Sequence, residues 1–555
     1  MINRLSIWNT TNMKVIYYLI GFMLVAVVWG ISRVPTLDGP VHINNAYMIH
    51  EIFSGRGDLF ARFFVLNPYP DPNWFLHFLL SSLMGFLNPW VVEKMVQTAY
   101  FLGFSMGLVY AIRGVRRDSW YVAFLGIPLA GNLLFHFGFY SFELSLPVSL
   151  FFLGYWLRHR DDRPLAWRSM LALGVLALIL YVLHVVSYIA TLLAILSWTV
   201  VRSFQGANIR REFVSRLRSI VRCNARLAIS VLPSFLLFLA FFLPREVIVE
   251  PSNSVLVRVA HLMVMSFLVS FDYKELVFTG ILGVSVWLFV GSTVVRDFRM
   301  SGKLPIDGAL AATLSAVFLY LVTPNTLVVT PGGVPGGGLI ESRLAFFPYF
   351  MVLLWLAGHR WGRRHAASMA LVGTMVTLGL LSMHTYQYRL INRVISEYSS
   401  AREVIADSSV VLPIRMADMR KGPGGELLSV RVDPLIHASH YLAVGRPVVN
   451  LNNIQAMYGY FPVRFRPDHS PLSKLGRLDI VNPDVDIAGY ERQIGRQIDY
   501  VTLWGDQVFS GDREGDRRIV RQLESGYRLV FRSEHGSMRV FERRRSVTAV
   551  NRVAR

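Results

Sequence analysis

"TLDGPVHINNAYMIHEIFSGRGD", residues 36–58, follows the first apolar run of the chain, "MKVIYYLIGFMLVAVVWGISRV", residues 13–34. That run exceeds the roughly 20 apolar residues needed to cross a bilayer. It lacks a small-residue cleavage site, so it reads as a retained span rather than a signal peptide. A plain loop after a span needs only Gly, Pro, Ser and Asn. This one carries an acid, Asp38, and an imidazole, His42, spaced so that a helix would point both at one spot. The sequence "LDGP" also suits a helix start, with Asp38 as cap and Pro40 in the first turn. The two roles are compatible.

Composition places the rest of the chain in the same setting. Of 555 residues, 53% are hydrophobic and 17% charged, against about 25% charged in an average soluble protein, and the mean hydropathy is +0.42. A formal net charge of +20 would suit a nucleic-acid binder if the cations formed one patch. They sit instead in short clusters between apolar runs, as the positive-inside rule requires, so nucleic acid is not an expected partner. The single cysteine, Cys223, excludes a disulfide framework and a cysteine metal site. There is no Walker loop, no dinucleotide fingerprint and no repeat of fixed period.

Apolar runs near 13–34, 91–112, 119–137, 144–157, 168–183, 185–202, 226–243, 275–295, 304–323, 343–358 and 366–384 give an expected fold class: mainly α, polytopic, with about 11 transmembrane helices. Alternate connections carry Arg113, Arg116 and Arg117; Arg158, Arg160 and Arg163; the basic stretch Arg202 to Arg226; Arg296, Arg299 and Lys303; and Arg360, Arg363 and Arg364. These face the cytoplasm. The N-terminus is then inside and everything beyond about 385 outside. Two further apolar stretches, 74–88 and 255–271, would invert later loops if they crossed, and read as helices lying in the outer interface.

The expected organisation is a membrane domain over 1–384, whose first outer loop is 35–90, an extracytoplasmic α/β or α+β domain over 385–541, and a basic, disordered tail over 542–555. Strand-like runs "SVVLPI", "YVTLW", "YRLVF" and "MRVFER" support the second of these.

Polar groups gather on the outer side. Glu143, in "FHFGFYSFELSLPV", is a carboxylate in an apolar setting at a span end, where ionisable groups are costly and default to function. His184 lies in the tight turn "YVLHVVS". Arg343 begins a span after the flexible "TPGGVPGGG", which suits a closing lid, although snorkelling is its simplest role. Arg258, His261 and Lys274 are further cations on the interfacial segment. Cations suit a lipid phosphate, and a carboxylate suits general-base activation of a hydroxyl. Together they suit group transfer from a lipid phosphate outside the cytoplasm.

With these residues in view, the chain resembles the GT-C superfamily of membrane glycosyltransferases. More closely, it resembles the bacterial 6-pyruvoyl-tetrahydropterin synthase-related membrane proteins. "DGPVHINNAYMIHEI", Gly57, "NPYPDPNWFLHFLLSSLMGFLN", "VVEKMVQTAYFLGFSMGLVYAIR", "FGFYSFELSLPVSL" and "LHVVS" carry the likeness, over roughly the first 200 residues. The resemblance implies a polyprenyl-phosphate-linked sugar donor, a catalytic acid at Asp38, a second acid at Glu143, and later outer cations holding the phosphate, with Arg343 foremost. His42, His184, Arg258 and Lys274 complete the expected binding set. Gly39 stands where many members carry a second acid, so a divalent metal is not favoured at Asp38 and no cofactor is expected.

The expected activity is transfer of a hexosyl or pentosyl group to a glycan, lipid or protein acceptor at the outer face of the cell (inner) membrane, inverting, with Asp38 as base. A lipid-linked substrate transporter or flippase would carry mid-span charges, which are absent from these runs. A non-catalytic envelope-assembly protein is the other alternative. Orientation is directly measurable: alkaline phosphatase fused after Ser400 should be active in cells, and the same enzyme fused after Gln205 should be inactive. The reverse pattern would invert every outer-side assignment.

Overall fold

The computed structural model describes residues 10–67, 71–162, 165–205, 209–244, 246–249, 253–302, 306–325, 327–330, 338–457, 461–505 and 514–544. By contact the chain divides into two compact units. One comprises Met1–Ser32, Pro70–Leu76 and Lys94–Tyr386; the other comprises Arg33–Tyr69, His77–Glu93 and Gln387–Arg555. Contact therefore groups most of the first outer loop with the C-terminal region, whereas the change in polarity near 385 separates them. The strands are β1 (Phe64–Leu66), β2 (Glu246–Val249), β3 (Leu327–Thr330), β4 (Val410–Arg415), β5 (Val449–Asn450), β6 (Val463–Phe465), β7 (Tyr500–Trp504), β8 (Tyr527–Arg532) and β9 (Met538–Arg543).

The first unit is helical. Among the described residues, 7 helices are long and apolar enough to cross a membrane: Thr11–Gly30, Pro89–Val115, Val185–Phe204, Asn224–Phe242, Glu275–Ser301, Ile340–Gly358 and Arg363–Val404. Helices Tyr140–His159, Trp167–Leu183 and Gly308–Val322 fall on three more of the expected spans. Burial differs sharply between them. The Ile340–Gly358 window is 89% buried and the Asn224–Phe242 window 17%, so the former is central and the latter peripheral, with an apolar surface that suits lipid.

Three expectations change here. The run near 119–137 is not one helix but a chain of short turns: Arg117–Val122, Ala123–Gly126, Ile127–Ala130 and Leu133–His136. Pro128 has no N–H to donate and Gly126 and Gly131 flank it, so the helical ladder breaks. Irregular backbone of this kind is tolerated at membrane depth when protein covers it, and every residue of 119–136 except Tyr121 and Gly131 is buried, with Asn132 and His136 fully covered. Gly373 lets the last long helix approach it, because a Cβ there would strike the Phe124 carbonyl. Second, the basic stretch 202–226 is largely helical, since one helix runs from Ile209 to Phe242 with Pro233 inside it. Third, the connections near 244–256 and 324–342 pair as antiparallel β2 and β3, with Val247 opposite Val329. Of the expected interfacial stretches, 74–88 contains helix Trp74–Leu83, and 255–271 contains helix Val255–Met263 with a further turn at Ser266–Leu268.

The second unit is built on a five-stranded sheet of order β5-β4-β7-β9-β8. β4 is parallel to β5 and β7, while β9 is antiparallel to β7 and β8. Every residue of β4 and β7 is buried, as expected for central strands covered on both faces. Pro413 is tolerated in β4 because pairing with β5 ends at Val411, leaving that edge free of a ladder.

The first outer loop shares this core. Helix Gly39–Phe53 contributes Met48 and Ile49, and the following segment contributes Phe60, Phe63 and Phe64, packed with Val410, Leu412, Val501 and Leu503. β1 pairs antiparallel with β6, Phe64 opposite Phe465, and their rings lie 4.6 Å apart. The Arg33 guanidinium lies against both Trp90 and Tyr441, whose rings are 5.5 Å apart, and Asn392 donates to the Arg33 carbonyl oxygen at 2.6 Å. Truncating Phe465 removes the ring that holds β1. Phe465→Ala should cost about 3–5 kcal/mol and lower the thermal midpoint in detergent, read by intrinsic fluorescence. An unchanged midpoint would show that β1 is not held by this pair.

Candidate active site

The acid at the first membrane exit belongs to the second unit. Asp38 occupies the cap position of helix Gly39–Phe53, but its side chain makes no capping hydrogen bond. The expected capping role is therefore not taken up. Instead Oδ1 lies 3.3 Å from Nε2 of His437, whose side chain is 5% exposed, while the Asp38 side chain is 18% exposed. An imidazole N–H aimed at one carboxylate oxygen restricts its orientation. His437 was invisible to sequence reasoning, because the pairing joins the first outer loop to a segment near residue 440.

His42 is buried. Its Nδ1 meets Nε2 of His77 at 3.1 Å, and its Nε2 meets Nε2 of Gln455 at 3.4 Å. Gln455 accepts from Asn45 at 3.1 Å, and Asn45 accepts from Asn453 at 2.6 Å. His440 is fully buried, with Nε2 3.2 Å from the Asn452 carbonyl, and burial, then neighbouring His437, depress its pKa to about 3. The only visible signal for this cluster is amide density in "VVNLNNIQ", residues 448–455, which reads equally well as a polar loop.

In the first unit, Glu143 opens helix Tyr140–His159 and is 1% exposed. Asn132, on the broken segment, donates to its Oε2 at 2.9 Å. Asn132 is itself fixed, capping the turn Leu133–His136 by accepting from Phe135 N–H at 3.0 Å. Oε1 of Glu143 is buried without a hydrogen-bond partner, although the Tyr100 hydroxyl lies beside the carboxyl group. A buried acceptor left open costs about 1–3 kcal/mol, a cost that a bound donor would remove.

His184 forms the one-residue break between helices Trp167–Leu183 and Val185–Phe204. Its ring meets Phe142 edge-on at 5.1 Å, its Nδ1 is unpartnered, and Arg343 is close enough to act on it electrostatically. Arg343 stacks on Phe139, its guanidinium 4.6 Å from the ring centroid. Glu143, His184 and Arg343 are thus each tied to the start of helix Tyr140–His159 or the residues beside it. Most of the loop expected to act as a lid, 331–337, lies outside the described residues.

Two expected cations are placed differently. Arg258 is 1% exposed; its Nη1 donates to the carbonyls of Tyr320, Leu321 and Thr323 at 3.1, 2.9 and 2.6 Å, and Nε lies 3.7 Å from Glu341. It closes the C-terminus of helix Gly308–Val322, a favourable place for a cation. His261 also reaches Glu341, at 3.5 Å. Lys274 is exposed and precedes helix Glu275–Ser301. Beside it is a buried group that the sequence did not announce. Glu275 accepts from the N–H groups of Ser270, Phe271 and Asp272 and lies 3.5 Å from His384, whose ring is 4.7 Å from that of His136. Among the described residues no group of three or more His, Cys, Asp or Glu is arranged to hold a metal ion.

Helices of membrane-crossing length, one stretch of them broken by a covered irregular segment, together with a unit built on a mixed sheet, describe a multi-pass membrane protein. Among solved structures, ArnT from Cupriavidus metallidurans, determined bound to undecaprenyl phosphate, is similar to this chain: the TM-score is 0.54 at 12% identity, over 96% of this chain and 98% of that one. No family model matches the chain, and no curated protein sequence matches it.

The partners of Arg258 allow a test of its role. Arg258→Met would take the guanidinium from a buried carboxylate that keeps, among the described residues, only His261, Tyr320 and Asn253 as partners, at a cost of about 3 kcal/mol. The expected outcome is a lower thermal midpoint with an unchanged KM for a polyprenyl-phosphate sugar in the folded fraction. A raised KM at unchanged stability would return Arg258 to the phosphate site.

Proposed function

We propose that this protein transfers a sugar from a polyprenyl-phosphate donor to an acceptor hydroxyl outside the cytoplasm, with Asp38 as general base. The observation that carries the reading is the Asp38 carboxylate, held through one oxygen by His437 at 3.3 Å with no hydrogen bond drawing it into the helix cap. The likeness of the fold to a protein bound to undecaprenyl phosphate supports the donor class. Placement among the 6-pyruvoyl-tetrahydropterin synthase-related membrane proteins rests on the quoted stretches alone, and the outer location of the C-terminal unit rests on the charge asymmetry of the loops.

In the proposed step, the Asp38 carboxylate takes the proton of the acceptor hydroxyl. The acceptor oxygen forms its bond to the anomeric carbon as the bond from that carbon to the phosphate oxygen breaks, and polyprenyl phosphate leaves with the electron pair. The anomeric configuration inverts. Within the first unit, and apart from that step, Arg343, whose charge rests against an aromatic face, is proposed as a partner for a phosphate and Glu143 as an acceptor for a hydroxyl. Asp38→Asn keeps the shape and removes the base. It should lower kcat by roughly 10²–10⁴-fold while the protein still folds and still binds undecaprenyl phosphate. Full turnover in Asp38→Asn would remove that residue from the chemistry, and a wild-type protein that moves the lipid across a bilayer without transferring sugar would favour the flippase alternative.

A further inference from the structure

The C-terminal stretch of the last long helix, Arg363–Ser399, forms one wall of a cavity that the proposed chemistry does not use. The cavity measures about 670 Å³ and lies wholly within the second unit. Leu390, Arg393, Val394 and Glu397 line it, and their spacing of three and four residues puts them on one helix face. The second wall is the hairpin tip "KGPGGEL", residues 421–427. It is closed by the pairing of Lys421 with Leu427 and by the Gly422 N–H donating to the Glu426 carbonyl at 2.9 Å. A Cβ at Gly422 or Gly424 would run into the Glu426 carboxylate, so glycine at both positions lets that side chain fold back over the tip. The third wall is the turn between β8 and β9, which presents Phe531, Arg532, Glu534 and His535.

That turn is pinned to the helix. Ser533 donates to Glu397 Oε1 at 2.7 Å and accepts from the Met538 N–H at 3.0 Å, while His535 Nδ1 lies 3.3 Å from Glu397 Oε2. Both oxygens of Glu397 are thereby engaged. The other charges on the walls are not. Among the described residues, the side chains of Arg393, Arg532, Glu426 and Glu534 make no hydrogen bond or ion pair within the chain. The cavity therefore holds two free guanidinium groups and two free carboxylates.

This balance selects the ligand. A purely anionic ligand would leave both carboxylates facing charge of their own sign, and a purely cationic one would do the same to both guanidinium groups. A ligand carrying both signs answers all four, and a guanidinium matches a carboxylate bidentately. Size separates a peptide from a single amino acid. From Leu390 to Glu397 the helical wall rises roughly 10 Å at about 1.5 Å per residue, the reach of about three extended residues. The volume falls within the roughly 300–1,000 Å³ of small-molecule sites. Leu390, Val394, Pro423 and Phe531 add apolar surface that suits small apolar side chains.

We propose that this cavity binds a short zwitterionic peptide, its carboxylate taken by Arg393 and Arg532 and its ammonium by Glu426 and Glu534. The site is separate from the transferase reading and does not rest on it.

The test is isothermal titration calorimetry on the full chain in lipid nanodiscs with four probes: L-trialanine, N-acetyl-trialanine, trialanine amide and L-alanine. Trialanine should bind at least tenfold more tightly than each of the others, because each cap removes one charge and the single residue removes the span. Arg393→Gln combined with Arg532→Gln should abolish the preference for a free carboxylate. Glu426→Gln combined with Glu534→Gln should abolish the preference for a free ammonium. All four residues are exposed, so the thermal midpoints should match that of the wild type. If a variant misfolds, the comparison of free and capped peptides on the wild-type protein decides the matter without it. No binding of trialanine, equal binding of its capped forms, or equally tight binding of alanine overturns the proposal, as does unchanged selectivity in folded variants. None of these readouts depends on sugar transfer, so loss of the transferase reading would leave them as they are.

Discussion

Asp38 and His437 come from opposite ends of the chain, and their 3.3 Å approach depends on how the first outer loop is folded. Helix Gly39–Phe53 is buried along nearly its whole length, which no surface helix would be. It is held by the apolar cluster that it shares with β4 and β7 and by the pairing of β1 with β6. Position 38 is the cap residue immediately before that buried helix, so the carboxylate has little freedom to turn away. An acid on a mobile loop could titrate and hydrogen-bond in many ways. One at the start of a clamped helix, with an imidazole against one oxygen, has a single orientation, and orientation is what a general base needs.

The same clamp explains why so many polar side chains are tolerated around it. A buried amide or imidazole costs free energy unless it is hydrogen-bonded. Asn45, Asn453, Gln455, His42 and His77 meet that requirement among themselves. Such a network is a poor way to gain stability, since an apolar core of the same volume does as well. It is a good way to hold a few further polar atoms at fixed positions, because each member's rotamer is set by its neighbours. Rigidity of the frame around helix Gly39–Phe53 is what this arrangement supplies.

How much of this was legible in the sequence follows from how local each signal is. The helices of the first unit are written in runs of apolar residues, and β4, β7, β8 and β9 in short β-branched and aromatic stretches, so both were readable. The break across 117–136 was hidden because apolar content alone cannot distinguish a straight helix from turns; Gly126, Pro128 and Gly131 were the available hint. The helix beginning at Ile209 was read as a loop because its first turns are basic, and β2 and β3 because each is only four residues long. His437 was not readable at all. Its function is set by a partner nearly 400 positions away, and no periodicity reports a contact of that range. Arg258 failed for a related reason: a cation at a span end is equally suited to a phosphate or to a helix C-terminus, and only the three carbonyls around it decide between them.

Two buried carboxylates in the first unit show how such ambiguity is resolved. Glu275 and Glu143 both sit in the first turn of a long helix, at 0% and 1% exposure, and from sequence either could have been the functional one. Glu275 accepts three backbone N–H groups and faces His384, so both of its oxygens are engaged and it has no lone pair to offer without dismantling the turn that precedes its helix. It is a structural acid. Glu143 has one oxygen held by Asn132 and the other unpartnered. The protein has oriented that carboxyl group without satisfying it, and has done so with an asparagine placed by a break in what would otherwise be a continuous helix. A helix-breaking segment inside a membrane unit is costly to cover, and a straight span would have delivered the same hydrophobic packing. The break is therefore best understood as the means by which Asn132 reaches Glu143, beside the Tyr100 hydroxyl that approaches the same carboxyl group.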